Sequence, residues 1–316
     1  MILGIDTSCY TTSLAAIDAV SGLILEDRRR LLQVKPGDKG LRQSEAVFQH
    51  LKNLPELFSG ETARDLKIKA VAAAVAPRPV PGSYLPVFKV GSSFGETFAR
   101  LLGVPFIKTS HQEGHLRAGL YRQDRLMNRN FLAWHISGGT TELLLAEAGE
   151  NGYRIQKIGG SSDLQVGQFI DRTGVALGTS FPAGPELEKL ARDSSSDQTL
   201  PVATRGLTAS FSGPDSAARR LLSSGIDKRD LARMVFNCIA KTLVEVSKEA
   251  AAKYKIQAVL LVGGVASSML IREILTAEGP GAGIDFCFGV PELSSDNAVG
   301  IGLIGFDHFR KEKSND

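Results

Sequence analysis

Two stretches of this chain repeat one another. Thr7-Ser8-Cys9-Tyr10-Thr11-Thr12-Ser13-Leu14-Ala15 aligns with Ile136-Ser137-Gly138-Gly139-Thr140-Thr141-Glu142-Leu143-Leu144, each residue 129 positions from its counterpart. In both copies an apolar strand ends in a small polar turn, and a second strand with alternating pattern leaves it. Each copy reads as a β-hairpin whose turn offers backbone N–H groups. A hairpin that recurs once in a chain of 316 residues constrains the fold strongly. It predicts a duplicated architecture, two similar halves with a cleft between them.

The rest of the pattern agrees with that reading. Apolar runs of strand length occur at Ile2–Ile5, Ala70–Val75, Phe131–Ile136 and Ala258–Val262, and helical periodicity lies between them at 44–58, 230–252 and 268–275. Alternation of this kind predicts α/β halves with helices on the sheet faces. We place the halves at 1–130 and 131–316, with a last helix near 297–310 that packs back on the first. The polar stretch Asp193–Thr204 reads as an exposed excursion. With 43% apolar and 22% charged residues, disorder and coiled coil are excluded. No apolar run suits a membrane span, no signal segment is visible, and the cysteines Cys9, Cys238 and Cys287 are too scattered for a disulfide framework. A reducing cytosol is the expected setting. Net charge is only +3, but Arg28, Arg29, Arg30, Lys35, Lys39 and Arg42 face Asp38 alone. Such a cluster suits a nucleic-acid backbone, or an edge strand guarded by arginine.

A third glycine element, Leu260-Leu261-Val262-Gly263-Gly264-Val265, runs from a buried strand into a helix start, where N–H groups can meet an anion. Neither the dinucleotide fingerprint nor the P-loop motif is present. Three glycine turns, two of them repeats, favour a nucleotide or phosphate site over packing alone.

His111-Gln112-Glu113-Gly114-His115 places two imidazoles at i and i+4, on one face of a helix. His135 precedes Ser137 by two on a strand and shares its side. Asp296, in Ser294-Ser295-Asp296-Asn297, stands just before an apolar helix that it could cap. Three histidines and a carboxylate suit iron or zinc. The alternatives are a surface histidine pair, a core His135 and a capping Asp296. Glu113 is misplaced for the zinc-peptidase arrangement, in which the glutamate adjoins the first histidine.

Taken in order, Ile2–Asp6 with Thr7-Ser8-Cys9, His111–His115, Ser137-Gly138-Gly139, Phe169–Thr173, Pro182–Glu188, Ser210–Gly213, Gly263-Gly264-Val265 and Ser295-Asp296-Asn297 resemble the TsaD/Kae/Gcp family. These are tRNA threonylcarbamoyladenosine transferases, once described as O-sialoglycoprotein endopeptidases. The resemblance spans nearly the whole chain. It implies the two-lobed actin/hexokinase/Hsp70-like (ASKHA) fold with a nucleotide cleft, and a cytoplasmic acyltransferase that moves threonylcarbamoyl from its adenylate to a tRNA adenosine beside the anticodon. It makes His111, His115 and Asp296 ligands of one iron or zinc ion, with His135 where some members add a tyrosine. It assigns Asp171, Gly184 and Glu188 to the ribose of ATP or threonylcarbamoyl-AMP, Ser137, Gly138 and Gly139 to its phosphates, and Gly263, Gly264 and Ser268 to the base side. Partners would be tRNA and subunits of the TsaB/TsaE kind, with no membrane. Metal and hairpin N–H groups would hold the acyl-phosphate oxygens while the substrate amine attacks the carbamoyl carbon. Ser137 and Thr11 stand as candidate catalytic residues.

The chain also departs from the family pattern. Tyr10-Thr11 replaces Asp-Glu, Thr140 follows Ser-Gly-Gly, Ser268 replaces Asn, and Arg172 replaces Lys. Arg78-Pro79-Val80-Pro81-Gly82 stands for Gly-Pro-Gly, and Ser212-Gly213-Pro214-Asp215-Ser216 for Ser-Gly-Leu-Lys-Thr. Metal and ribose sides are kept while the acceptor side is altered, the pattern of a divergent paralogue. The competing functions are therefore the tRNA transferase, a carbamoyl- or acyltransferase with another acceptor, and a non-catalytic partner subunit. The paired histidines count against the last, and a peptidase ranks below all three.

Overall fold

The computed structural model describes residues 1–8, 10–34, 41–58, 67–150 and 152–315. Cys9, Lys35, Asp38 and Lys39 lie outside the described residues. The chain forms two compact units, one of Met1–Tyr121, Gly149–Tyr153 and Asp296–Asp316, the other of Arg122–Ala148 and Arg154–Ser295.

The first unit carries β1 (Ile2–Thr7), β2 (Thr11–Ile17), β3 (Ile24–Leu31), α1 (Gln43–Leu57), β4 (Ala70–Ala76), α2 (Val87–Leu102), β5 (Phe106–Ser110), α3 (His111–Gly119) and α9 (Val299–Asn315). Its sheet runs in the order β3-β2-β1-β4-β5, with β1 antiparallel to β2 and parallel to β4. Every residue of β1 and β2 is buried. Both faces are covered, since α2 packs on β1 and β4 while α9 packs on β1, β2 and β4, and the polar residues of the two strands, Asp6, Thr7, Thr11, Thr12 and Ser13, gather at the hairpin end.

The second unit carries β6 (Phe131–Ile136), β7 (Thr141–Gly149), β8 (Gly152–Ser161), α4 (Val166–Leu177), α5 (Gly184–Arg192), β9 (Thr204–Arg205), β10 (Thr208–Ala209), α6 (Ser212–Ser223), α7 (Lys228–Tyr254), β11 (Ala258–Val262), α8 (Met269–Ala282) and β12 (Asp285–Phe288). Its sheet order is β12-β11-β6-β7-β8-β10-β9. Five of these strands repeat the first sheet, β8-β7-β6-β11-β12 standing for β3-β2-β1-β4-β5. The register repeats too. Thr7 pairs with Thr12 and Ile136 with Thr141, so the two hairpins have loops of equal length. The core gathers around Trp134, Phe169, Phe211 and Phe236. The Trp134 indole N–H, buried there, donates to Ser247 Oγ at 2.9 Å, which satisfies its polar edge.

The stretch 193–204 is exposed along much of its length, as its composition suggests, but it is anchored to the core. Leu200 is fully buried, and Asn237 on α7 donates to the carbonyls of Ser196 (3.3 Å) and Gln198 (2.8 Å). A backbone without helix or strand bonds is held by side-chain donors instead, which low hydrophobicity does not reveal. The arginines of β3 are also settled. Arg28 meets Glu26 and the Leu57 carbonyl, Arg29 meets Asp27, and Arg30 meets Glu56. β3 is the edge strand, and its charge is balanced locally.

Candidate functional site

Helix α3 begins at His111 because Ser110 and Glu113 form a reciprocal cap. Ser110 Oγ accepts from the Glu113 N–H, and Glu113 Oε2 accepts from the Ser110 N–H at 2.7 Å and from Thr109 Oγ1 at 3.0 Å. Glu113 is thereby committed to holding the helix start. His111 and His115 follow on one face, one turn apart, their rings edge-on with centroids 4.5 Å apart. Asp296 arrives from just before α9, and the cap of α9 is Asn297, whose Oδ1 accepts from Val299 N–H at 2.9 Å. The capping role that Asp296 could have filled belongs to its neighbour. Asp296 is left to face the imidazoles.

What brings these segments together is a close crossing of α3 and α9. A Cβ on Gly300 would lie 1.8 Å from the Gly114 carbonyl oxygen, and one on Gly114 would lie 2.5 Å from Ile301 Cδ1. At 300, where the obstacle is backbone, only glycine permits that approach, while at 114 a side chain would have to displace the end of Ile301. His115 Nε2 then lies 3.1 Å from His111 Nε2 and 3.2 Å from Asp296 Oδ1, and His111 Nε2 lies 3.5 Å from the same oxygen. The three donors fall within 4.8 Å of one another. Ligands about 2.0–2.1 Å from a tetrahedral ion are roughly 3.3–3.4 Å apart, so the spacing and the N₂O donor set fit zinc or iron.

A residue that sequence reasoning missed completes this cluster. Asp6, buried at the end of β1, places Oδ2 2.6 Å from His111 Nδ1, while its Oδ1 has no hydrogen-bond partner among the described residues. A carboxylate behind a histidine fixes which ring nitrogen is free to ligate. The signal was a charged residue inside an otherwise apolar buried strand. Ser8 Oγ donates to Asp296 Oδ2 at 2.7 Å. Burial by itself pushes His111 down, but the carboxylates of Asp6 and Asp296 outweigh it and hold the imidazole well above its ordinary range. For Asp296, burial raises the carboxyl, and the hydrogen bonds of His111 and His115 overcome this and hold it well below its ordinary value. The cluster thus attracts positive charge. Thr11, the first residue of β2, is buried, and its carbonyl oxygen lies 3.4 Å from Ser8 Oγ.

The remaining candidates, His135 included, lie in the second unit, where a run of contacts joins most of them. Gly263 has φ +95°, and a Cβ there would lie 2.4 Å from the Ile136 carbonyl oxygen, so the Gly263-Gly264 turn sits against the end of β6. His135 lies one residue earlier on that strand, in register with Glu142 and Val262. The hairpin turn after Ile136 is closed by Ser137 N–H donating to Thr140 O at 2.8 Å, and Gly138 and Gly139 are exposed. Helix α4 starts on this turn, with Gly167 against Ser137 and Gly138. One turn further, Asp171 Oδ1 accepts from Ala183 N–H at 2.8 Å, next to Gly184 at the start of α5. Burial raises the Asp171 carboxyl, partly offset by that bond. Glu188, one turn along α5, accepts from Leu270 N–H at 2.8 Å and meets Arg192, so it caps α8. Ser268 Oγ accepts from Ile271 N–H in the same cap. Arg172 is drawn toward Asp215, at 3.7 Å. Arg272, which no motif marked, is buried and donates to the carbonyls of Ala266 and Gly289 and to Ser294 Oγ, pinning the glycine turn from below.

The two repeated sheets with their covering helices define a duplicated α/β fold of the actin/hexokinase (ASKHA) class. Full-length HypF in its phosphate- and nucleotide-bound form superposes with TM-score 0.61 at 12% identity, over 98% of this chain and 46% of that one. A ROK-family glucokinase from Streptomyces griseus, in complex with glucose and AMPPNP, superposes with TM-score 0.54 at 10% identity, over 98% and 99%. The profile of the TsaD family, described as tRNA N6-adenosine threonylcarbamoyltransferase, matches residues 35–303. A Prochlorococcus marinus (strain NATL1A) protein named tRNA N6-adenosine threonylcarbamoyltransferase is 30% identical over 96% of this chain and 88% of its own. The chain belongs to the TsaD family, a family of acyl-type transferases.

Proposed function

We propose that this chain transfers a threonylcarbamoyl group from its adenylate to a tRNA adenosine, in the cytoplasm and with partner subunits of the TsaB/TsaE kind. The match of the TsaD profile to residues 35–303 carries this reading. His111, His115 and Asp296 hold one zinc or iron ion, and Asp6 orients His111 so that Nε2 is the ligating atom. When bound, the ion supplies a Lewis acid for phosphate oxygens. The N–H groups of the exposed Gly138 and Gly139 donate to the phosphate oxygens of the adenine nucleotide. Asp171 keeps its second oxygen for the ribose, and Glu188 shares its carboxylate between the ribose and the cap of α8. In the transfer the adenosine N6 attacks the carbamoyl carbon, the carbon–oxygen bond to phosphate breaks, AMP leaves with the electron pair, and the amine proton is lost to the departing phosphate or to water.

One observation favours a second reading, a different acceptor. Where the family pattern has two acidic residues, Tyr10 stands 47% exposed and Thr11 is buried, and neither is a base.

The test supplies threonylcarbamoyl-adenylate, unmodified tRNA and partner subunits, and counts modified adenosine. Slow transfer is expected in the wild type, raised at least tenfold by Tyr10→Asp/Thr11→Glu and abolished in His111→Ala, His115→Ala and Asp296→Ala together with zinc content. No transfer by either the wild type or the acidic variant, with zinc and ATP bound, would assign the chain another acceptor.

A further inference from the structure

The turn that follows β1 is held from the side by a residue outside every motif. His50 on α1 is fully buried. Its Nε2 lies 2.8 Å from the Ser8 carbonyl oxygen, its Nδ1 lies 2.8 Å from Thr12 Oγ1, and Asn53 Nδ2 donates to that hydroxyl at 3.2 Å. A carbonyl can only accept, so Nε2 carries the hydrogen. A neutral ring then accepts the Thr12 hydroxyl at Nδ1, and the Thr12 oxygen accepts from Asn53. All four groups are satisfied. An imidazolium would turn a second donor toward Thr12 and take away the acceptor of the Thr12 hydroxyl hydrogen. Burial, the largest influence on His50, lowers its pKa and acts in the same direction.

We propose that His50 is a positioning residue of the metal centre: as the neutral Nε2–H tautomer it fixes Ser8, and Ser8 fixes Asp296. The Ser8 hydroxyl donates to Asp296 Oδ2 at 2.7 Å, which leaves Oδ1 toward His111 and His115. The same turn is tied on its other side, where Leu32 N–H donates to the Tyr10 carbonyl at 2.8 Å. The inference rests on the metal reading above and extends it from the ligands to the element that aims one of them. A carboxylate whose second oxygen is free to swing offers a poorer ligand, and supports of this kind are worth roughly 10- to 100-fold in metal affinity.

Two substitutions separate this role from mere packing. Glutamine places an amide N–H where histidine has Nε2 and keeps the Ser8 bond. Asparagine places its amide near Nδ1, keeps a partner for Thr12, and loses Ser8. With thermal melts confirming a folded chain, His50→Asn is expected to weaken zinc binding about tenfold and to speed exchange of the Leu32 amide by a similar factor, while His50→Gln stays within about threefold of wild type on both. Imidazole ¹⁵N spectra of the zinc-free protein should show the Nε2–H tautomer for His50. Wild-type behaviour of His50→Asn in both measurements, or the Nδ1–H tautomer, would overturn the proposal. A wild-type chain that takes up no zinc would refute the metal reading, and the Leu32 exchange rates and the tautomer would still decide the role of His50.

Discussion

At Asp296 and Asn297 two neighbouring polar residues divide two jobs that the sequence left as alternatives for Asp296. Asn297 satisfies the first N–H groups of α9, at 2.9 Å to Val299 and 3.4 Å to Gly300. Asn297→Ala should therefore destabilise the protein by about 1 kcal/mol in chemical denaturation, and Asn297→Asp should restore most of it. Asp163 makes a second case at this scale. Burial, the largest single influence, raises its carboxyl, but hydrogen bonds from Ser210, from the Phe211 and Leu164 N–H groups and from Ser212 together overcome that and lower it from 3.8 to about 2. A depressed folded-state pKa means stability that is fully present above the unfolded value and lost as pH falls through the folded one. The full shift corresponds to roughly 2 kcal/mol, and screening at this solvent-exposed side chain reduces it to about 1 kcal/mol. Wild-type stability should fall by that amount between about pH 4 and pH 2, and Asp163→Asn should lose the drop. An unchanged acid limb in the variant would show that the hydrogen bonds at the start of α6 do not depend on the charge.

At the scale of elements, strands that are buried on both faces were the easiest to read. Phe131–Ile136 and Ala258–Val262 have the bounds that their apolar runs predict. Helix α8 was harder, since it continues to Ala282 through Pro280, beyond its periodic part. Periodicity fades there because a helix end can lean on a neighbouring strand, and α8 packs on β12. The crossing of α3 and α9 lay beyond any pattern. Positions 114 and 300 are 186 residues apart in sequence, and only contact shows that residue 300 must be glycine to clear the carbonyl of residue 114. A Cβ 1.8 Å from a carbonyl oxygen must push the helices apart. Gly300→Ala should cost about 2–3 kcal/mol and should also lower zinc content, because α9 follows directly on Asp296. Lower stability with full zinc occupancy would show that the ligands are held independently of the crossing.

For the whole molecule, charge read along a chain ignores the partners that folding supplies, and three arginines of the basic run have such partners. Arg28, Arg29 and Arg30 each meet an acidic residue, two of these on β3 itself and one, Glu56, on α1. Replacing all three by alanine is expected to leave the salt dependence of tRNA binding unchanged in filter-binding titrations. A slope reduced by two or three units would mean that these pairs open onto phosphate.

The sequence by itself determined the duplication, because a repeated hairpin has one residue spacing and one register, and both are local. It determined the helical face of His111 and His115 for the same reason, and the family motifs named Asp296 as their companion. Only the tertiary structure decided that Asn297 and not Asp296 caps α9, that Asp6 stands behind His111, that Glu188 caps α8, and that His50 holds the Ser8 turn. The last three depend on a polar atom that reaches a partner 42 to 105 residues away, and Asp296 is drawn from the local cap by Ser8, 288 residues away. A buried donor or acceptor must find such a partner, but the sequence does not say where it lies.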